Sequence, residues 1–185
     1  MGLFRLTKYS AKHSSAGRFW GFNRIAGAAD GKETLYMTRL WIGRLRLHVF
    51  HQGDQDPDCH DHPWGFWTFP LRSYVEEVIH PRRRTHYIPG MGTVSDLYYL
   101  RELNVVKAFR LHYRPPTYNH RVLGAYGGME IYGQPFWHDT GHVPTLVWRE
   151  RSTRKWGFTK ERDGIWCWVP WKKYVYEGGK HGPCE

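Results

Sequence analysis

The sequence of 185 residues lacks any long hydrophobic run, and this absence excludes several classes of protein. No apolar stretch approaches the ~20 residues that a membrane-spanning helix requires, so we expect no membrane partner. Heptad repeats are also missing, which excludes a coiled coil. Residues 1–6 lack the apolar stretch that begins a signal peptide, so no secretion signal is predicted.

Cysteine is scarce as well. Cys59, Cys167 and Cys184 are an odd number, with neither a CxxC motif nor the spacing of a metal knuckle. The simplest interpretation is that all three are reduced thiols. The sequence therefore predicts a cytoplasmic protein.

The motifs of several enzyme classes are absent. There is no Ser-His-Asp arrangement, no phosphate-binding glycine loop and no dinucleotide fingerprint. The glycine pairs Gly127-Gly128 and Gly178-Gly179 are typical of isolated turns. Hydrolase, kinase and nicotinamide chemistry therefore have no support.

Basic residues, aromatic residues and histidine are abundant. Lys and Arg number 27 against 17 Asp and Glu, a formal charge of +10, and there are 10 Trp, 12 Tyr and 12 His. The charge fits either a phosphate-bearing partner or a solvated basic surface. Its clusters, predicted to lie between strands, are Arg82–Arg84, Arg149–Lys155 and Lys172-Lys173. None interleaves with aromatic residues as in an RNA-binding sheet, so nucleic-acid binding stays open but lacks a motif.

Short apolar segments separated by Gly and Pro predict an all-β sandwich or barrel. We expect an N-terminal extension at 1–34, a β-barrel at 35–170 and a C-terminal tail at 171–185. Residues 10–34 resist assignment, and a short helix fits there or after Trp171. The predicted strands are Leu35–Ile42, Arg44–Phe50, Trp64–Phe69, Tyr74–Ile79, Leu97–Leu100, Val105–Tyr113, His120–Leu123, Leu146–Trp148 and Ile165–Val169.

One predicted strand alternates clearly between apolar and basic residues. Leu45, Leu47 and Val49 share one face, expected to be the core, and Arg46 and His48 share the other. If the basic face lines the barrel, Arg46 can hold a substrate carboxylate or phosphate. If it does not, these residues are solvated, which is the interpretation favoured here. Comparable substrate-binding candidates on later strands are Tyr98, Arg110 and His112.

The segment Asp56–Trp64 contains two histidines, His60 and His62, separated by one residue. On a strand, residues i and i+2 point to the same face, with Cα atoms ~6.6 Å apart. Both imidazoles can then converge on one metal ion, and a third donor from another strand would complete a facial set. The alternative is that both are surface residues beside a Pro-Trp turn.

A second segment, Pro115-x-Thr117-x-x-His120, leads into another predicted strand. Together the two segments resemble the motifs of the cupin superfamily, HxH and PxGxxH, which belong to small β-barrel metalloproteins. The resemblance covers roughly residues 35–170 and implies a jelly-roll fold. It also implies that His60, His62 and His120 are metal ligands.

This chain departs from the cupin pattern at several positions. Phe66 and Trp67 stand where the family has a ligand Glu, Ser73 and Thr117 where it has Gly, and Gly124 where it has Asn. The missing Glu disfavours the isomerase and oxalate-degrading branches and leaves a three-histidine site, similar to that of thiol dioxygenases. On the next strand Glu76 or Glu77 offers a fourth ligand, although a solvent-facing role is favoured. Cys59 is expected to be a bystander, and Asp61 to accept a hydrogen bond from an imidazole or to cap the turn.

Three neutral imidazoles suit Fe(II), Zn, Ni or Cu, and the resemblance favours Fe(II). No histidine is followed two residues later by Asp or Glu, which disfavours the usual oxoglutarate-enzyme triad. The resulting hypothesis is a metal-dependent dioxygenase acting on a small polar molecule, which can be anionic. The alternatives are a cupin-like isomerase or epimerase of a phosphorylated or nucleotide-linked sugar and a non-enzymatic nucleic-acid-binding module. A homodimer is compatible with all three.

Overall fold

The computed structural model describes residues 19–29 and 32–184, so most of the predicted N-terminal extension lies outside the described residues. The chain forms thirteen strands and one short helix in this part. In chain order they are β1 (Trp20–Ala29), β2 (Lys32–Ile42), β3 (Leu45–Gln52), β4 (Cys59–His60), β5 (Phe66–Pro70), β6 (Tyr74–Ile88), β7 (Gly92–Val106), β8 (His112–Arg114), β9 (Asn119–Ile131), β10 (Gln134–His138), β11 (Thr140–Arg149), β12 (Gly157–Arg162), β13 (Ile165–Pro170) and α1 (Trp171–Tyr176).

The strands form two antiparallel sheets. The first sheet has the order β1-β2-β3-β11-β5-β8, and the second has β13-β12-β4-β9-β6-β7, with β10 paired to β9. Four strands of the first sheet (β3, β11, β5, β8) and four of the second (β4, β9, β6, β7) follow the order of a jelly roll, in which the chain crosses repeatedly between two sheets. The predicted all-β jelly-roll fold is therefore confirmed. Among the described residues, no helix has the length and hydrophobicity to cross a bilayer.

The core lies between the sheets and, separately, under the C-terminal helix. One cluster joins Val143 of the first sheet to Tyr74, Val106, Val122 and Ala125 of the second. A second cluster places Phe158 and Val169 against Tyr174 of α1. Because α1 packs on the edge strand β13 and its neighbour β12, the C-terminal segment is packed against the sandwich.

Several predicted strand boundaries were wrong. Arg82–Arg84 lie within β6, not in a loop, because β6 and β7 stay paired from Tyr74 and Val106 out to Ile88 and Gly92. These arginines are exposed, and a solvated ribbon carries no apolar alternation that sequence analysis could detect. The strand predicted over Val105–Tyr113 is broken between β7 and β8, where Phe109 adopts a φ of 57°.

Two cysteines correct the prediction of three reduced thiols. Cys167 on β13 and Cys184 beyond α1 form a disulfide, with Cα atoms 5.5 Å apart. Cys59 is the free, buried cysteine. The 17-residue separation gave no sign of this pairing, which depends on α1 turning the chain back toward β13. Cytoplasmic location stays a prediction.

Candidate metal centre

The two histidine motifs meet in the second sheet. His60 on β4 pairs directly with His120 on β9. His62 lies just beyond β4, where its backbone N–H donates to the carbonyl of Pro116 at 3.2 Å. Main-chain pairing therefore brings the HxH segment and the second motif together, and one ring nitrogen from each histidine lies within 4.8 Å of the others.

One pair of ring nitrogens in this cluster has the spacing expected of two ligands of one ion. Nε2 of His62 and Nε2 of His120 are 3.0 Å apart. Two nitrogens at ~2.0–2.1 Å from a metal and about 90° apart lie ~2.9 Å from each other. The donor set of three imidazoles thus fits a divalent transition metal.

The buried carboxylate of Glu76 fixes the orientation of His120. Its Oε2 accepts a hydrogen bond from Nδ1 of His120 at 2.9 Å, which leaves Nε2 of His120 with a free lone pair. Its Oε1 accepts from Arg114 at 2.8 Å and from the hydroxyl of Tyr118. Burial opposes ionisation of Glu76, but His120, Arg114 and Tyr118 outweigh it and hold its pKa below the ordinary value.

The solvent-facing role predicted for Glu76 is therefore wrong, because this side chain is fully buried. Glu77 faces a different set of partners, and its Oε2 accepts from Arg121 at 2.7 Å and Arg101 at 3.2 Å. Neither glutamate belongs to the three-residue cluster of the described chain.

Aromatic rings surround the histidines. The ring centroids of His62 and Phe66 are 4.9 Å apart, and Trp64 stacks on His62 at 5.1 Å. His60 contacts Phe158 at 5.8 Å. Burial, followed by repulsion from His120, lowers the pKa of His60 to about 3. Burial, followed by repulsion from neighbouring histidines, also lowers the pKa of His62 well below its usual range. Both imidazoles are thus neutral at pH 7, which is the form that binds metal.

Asp61 supports the histidine segment without touching an imidazole. Its carboxylate accepts hydrogen bonds from Gly157 N at 2.7 Å, Trp168 Nε1 at 3.0 Å and Arg154 Nη1. Asp61 was expected either to bind an imidazole or to cap the turn, and the structure supports neither. Its hydrogen bonds instead join the histidine segment to β12 and β13. Cys59 is fully buried and points its thiol at Glu77.

The first sheet presents basic side chains to the interior. Arg46 is 3% and His48 9% exposed, whereas Leu45 is 39% exposed. The expected core face of β3 was therefore assigned the wrong way round. Phe66, whose ring contacts His62, pairs with Arg149 across β5 and β11. This face of the first sheet is consequently turned toward the three histidines.

The other substrate-binding candidates lie elsewhere. Tyr98 is 40% exposed on β7, beneath the guanidinium of Arg84. Arg110 is exposed in the segment between β7 and β8. His112 is half-buried, with Nε2 3.3 Å from the carbonyl of Lys107. The structure does not bring these three residues into the histidine cluster.

Sequence reasoning did not identify Arg39 and Arg149 as interior residues. Arg39 pairs with His48 across β2 and β3. Arg149 lies two residues after Val147 on β11, and Val147 pairs with Arg46, so Arg149 shares its face. A signal was available, since alternation on β3 placed Arg46 and His48 on one face, but the basic face was assigned to solvent by default.

Comparisons with known proteins found distant structural neighbours but no matching family. No protein-family model matches the sequence, and no curated protein matches it. A crystal structure of Fe(II)-HppE with the alternative substrate (S)-1-HPP is similar with a TM-score of 0.41 and 9% identity, over 70% of this chain and 56% of that chain. DMSP lyase DddQ from Ruegeria pomeroyi DSS-3 is similar with a TM-score of 0.34 and 13% identity, over 84% of this chain and 59% of that chain. The chain spans less than two thirds of either neighbour, and such distant likeness carries no argument about activity.

Proposed function

We propose that this chain is a cupin-like metalloprotein that binds one divalent ion, Fe(II) by preference, through His60, His62 and His120. Its reaction is the oxygen-dependent oxidation of a small polar molecule. The observation that carries the proposal is the convergence of three ring nitrogens from two separate motifs within 4.8 Å. A bound ion of this kind supplies Lewis acidity and, as Fe(II), redox chemistry with oxygen.

The residues of the chain supply the environment for that chemistry. Glu76 holds His120 in the tautomer whose Nε2 faces the other two rings. Phe66 and Trp64 pack on His62 and keep bulk water from its ring. With three nitrogen donors and no carboxylate among the described residues of the cluster, coordination positions stay open for small molecules.

Metal content of the purified protein tests the site. Wild type purified without added metal should contain about one ion per chain by elemental analysis. His60→Ala should retain less than about a tenth of that, because two imidazoles bind far more weakly than three. His138→Ala is the matched control, since His138 is exposed on β10 and should leave the metal content unchanged. A wild type without metal, or equal content in wild type and His60→Ala, would contradict the proposal.

Oxygen uptake tests the reaction. Fe(II)-loaded wild type should consume oxygen with at least one member of a panel of small organic acids, amino acids and phosphate esters, and His60→Ala should not. Conversion of a phosphorylated sugar without oxygen consumption, retained after metal removal, would overturn the oxidation and favour the isomerase alternative. Nucleic-acid binding that collapses between low and moderate salt would favour the binding-module alternative.

A further inference from the structure

The inner face of the first sheet contains three arginines and a histidine that have no acidic partner among the described residues. Arg39, Arg46 and Arg149 lie on neighbouring strands β2, β3 and β11, and His48 is two residues from Arg46. In the part of the chain that the structure describes, no carboxylate lies within 4.0 Å of any of the three guanidinium groups. By contrast, the half-buried Arg114 is paired with Glu76.

Several nitrogen atoms of this face have no hydrogen-bond partner among the described residues. Nε and Nη1 of Arg46, Nε2 of His48 and Nε of Arg149 are all buried and unpaired. Buried charges are normally paired and buried donors are normally satisfied, because an unpaired charge loses its hydration without compensation. The Arg46 guanidinium is 3% exposed, has no carboxylate partner among the described residues and has two unpaired nitrogens. This combination is the signature of a group whose partner is a ligand.

We infer that Arg46, flanked by Arg39, Arg149 and His48, binds an oxyanion group of the substrate, a carboxylate or a phosphate-type group, beside the three histidines. The inference rests on the proposed function in that this anion belongs to the molecule acted on at the metal centre. A guanidinium offers two parallel N–H donors that match the two oxygens of a carboxylate or phosphate.

Electrostatics and position both support the assignment. Burial, followed by repulsion from Arg39 and Arg149, lowers the pKa of Arg46 to about 10, so the cluster is positive at pH 7 but unfavourable without an anion. Phe66 pairs with Arg149 across β5 and β11, and its ring centroid is 4.9 Å from that of His62, so this face lies beside the histidines. An anion at Arg46 would therefore anchor one end of a small molecule whose other end reaches the histidines.

Neighbouring side chains offer neutral polar groups on the same face. Thr68 and Thr145 are buried and joined by a hydrogen bond of 2.7 Å between their hydroxyls. Thr145 pairs with His48, and Thr68 pairs with Val147, the partner of Arg46. Asn23 is 6% exposed and accepts from Nε of Arg39 at 3.3 Å. Asn23 thus holds Arg39 without neutralising its charge, and the two threonines add neutral polar groups to the face.

Titration with simple anions tests this site. Acetate and inorganic phosphate are added separately at constant ionic strength, with thermal unfolding and calorimetry as readouts. At least one should bind saturably to wild type, and Arg46→Gln should weaken that binding by at least about tenfold. Arg151→Gln is the matched control, since Arg151 is exposed just beyond β11, and it should change affinity by less than about twofold. Preference for acetate assigns a carboxylate substrate, and preference for phosphate assigns a phosphorylated one.

A second variant keeps the test independent of folding defects. Arg46→Met removes an unpaired buried charge, so its melting temperature in anion-free buffer should rise by several degrees, and added anion should no longer raise it. Absence of saturable binding to wild type, or equal binding by wild type and both Arg46 variants, would overturn the inference.

The metal variant separates this inference from the proposed function. His60→Ala, which should lose the ion, should still bind the anion within about threefold of wild type. If wild type holds no metal yet binds anions through Arg46, the metal proposal fails and the anion site stands. If metal binds normally and the anion does not, the anion site alone is overturned.

Discussion

Oε2 of Glu76 and Nδ1 of His120 lie 2.9 Å apart in a region that solvent does not reach. This contact links strand β6 to strand β9 and fixes which nitrogen of His120 faces the other histidines. A buried carboxylate behind an imidazole raises the basicity of that ligand and holds its ring in place. Glu76 therefore acts as a positioning residue for the candidate metal centre.

Replacing Glu76 should weaken metal binding without removing a ligand. We expect Glu76→Gln to lower the affinity for Zn²⁺ or Fe²⁺ by about 10–100-fold, because a neutral amide polarises His120 less. Competition with a chromophoric chelator measures the affinity.

Glu77→Gln is the matched control for that experiment. Glu77 is the next residue along β6, but its carboxylate pairs with Arg121 and Arg101 instead of an imidazole. Its affinity should stay within about threefold of wild type. Equal losses in the two variants would show that Glu76 has no special role at His120.

Asp61 should contribute to stability through its three hydrogen bonds. Asp61→Ala leaves Gly157 N–H and Trp168 Nε1 without their acceptor and Arg154 without its carboxylate. We expect the free energy of unfolding to fall by about 2–4 kcal/mol, measured by urea denaturation. Asp96→Ala, at an exposed surface pair, should change it by less than about 0.5 kcal/mol. A loss at Asp61 as small as at Asp96 would contradict this assignment.

The Cys167–Cys184 disulfide should stabilise the C-terminal segment. It closes a 17-residue separation, for which chain entropy predicts about 3 kcal/mol. Cys167→Ser should lose roughly this amount in non-reducing buffer, whereas reducing agent should remove most of the difference from wild type.

Thiol titration in denaturant checks the pairing directly. Without reductant, wild type should expose one reactive thiol per chain, that of Cys59. Three reactive thiols would show that the cysteines are all reduced, as the sequence alone suggested.

Sequence patterns predicted which three histidines lie together, and their role as metal ligands stays a prediction. His60 and His62 are separated by one residue, and His120 closes a recognisable second motif, so local information was sufficient. The contact of His120 with Glu76 spans 44 residues and depends on the register of β6 against β9. The sequence suggested Glu76 as a fourth ligand or a surface residue, and only the sheet pairing shows its position.

The basic face of β3 was misassigned for a physical reason. Alternation separates two faces of a strand but does not say which one is buried, and hydrophobicity normally decides. Here Arg46 and His48 are inside and Leu45 is half-exposed. Such a reversal opposes burial energetics, and it is the kind of local conflict expected at a functional site, as proposed here for Arg46.

The buried carboxyl group of Asp54 should give the protein a measurable pH dependence. Burial, followed by repulsion from Asp56, raises its pKa to about 6, and attraction to His120 with hydrogen bonds from Val122 N–H and Tyr36 only partly opposes this. Folding therefore favours the protonated form, whose contribution to stability is present below the unfolded pKa of about 3.9 and is lost as pH rises through 6.

Asp54→Asn isolates this effect, because the amide is neutral at every pH and similar in shape. Relative to wild type, the variant should have similar stability near pH 3.5 and should be more stable by up to about 3 kcal/mol at pH 7. Urea unfolding of both proteins across this range measures the difference in their free energies of unfolding. The other ionisable groups titrate alike in the two proteins, so their contributions cancel. Asp139→Asn, at an exposed position, should show no such trend. A difference between Asp54→Asn and wild type that stays flat from pH 4 to pH 6.5 would contradict the raised pKa, since the stability difference follows the ionisation of that one carboxyl group.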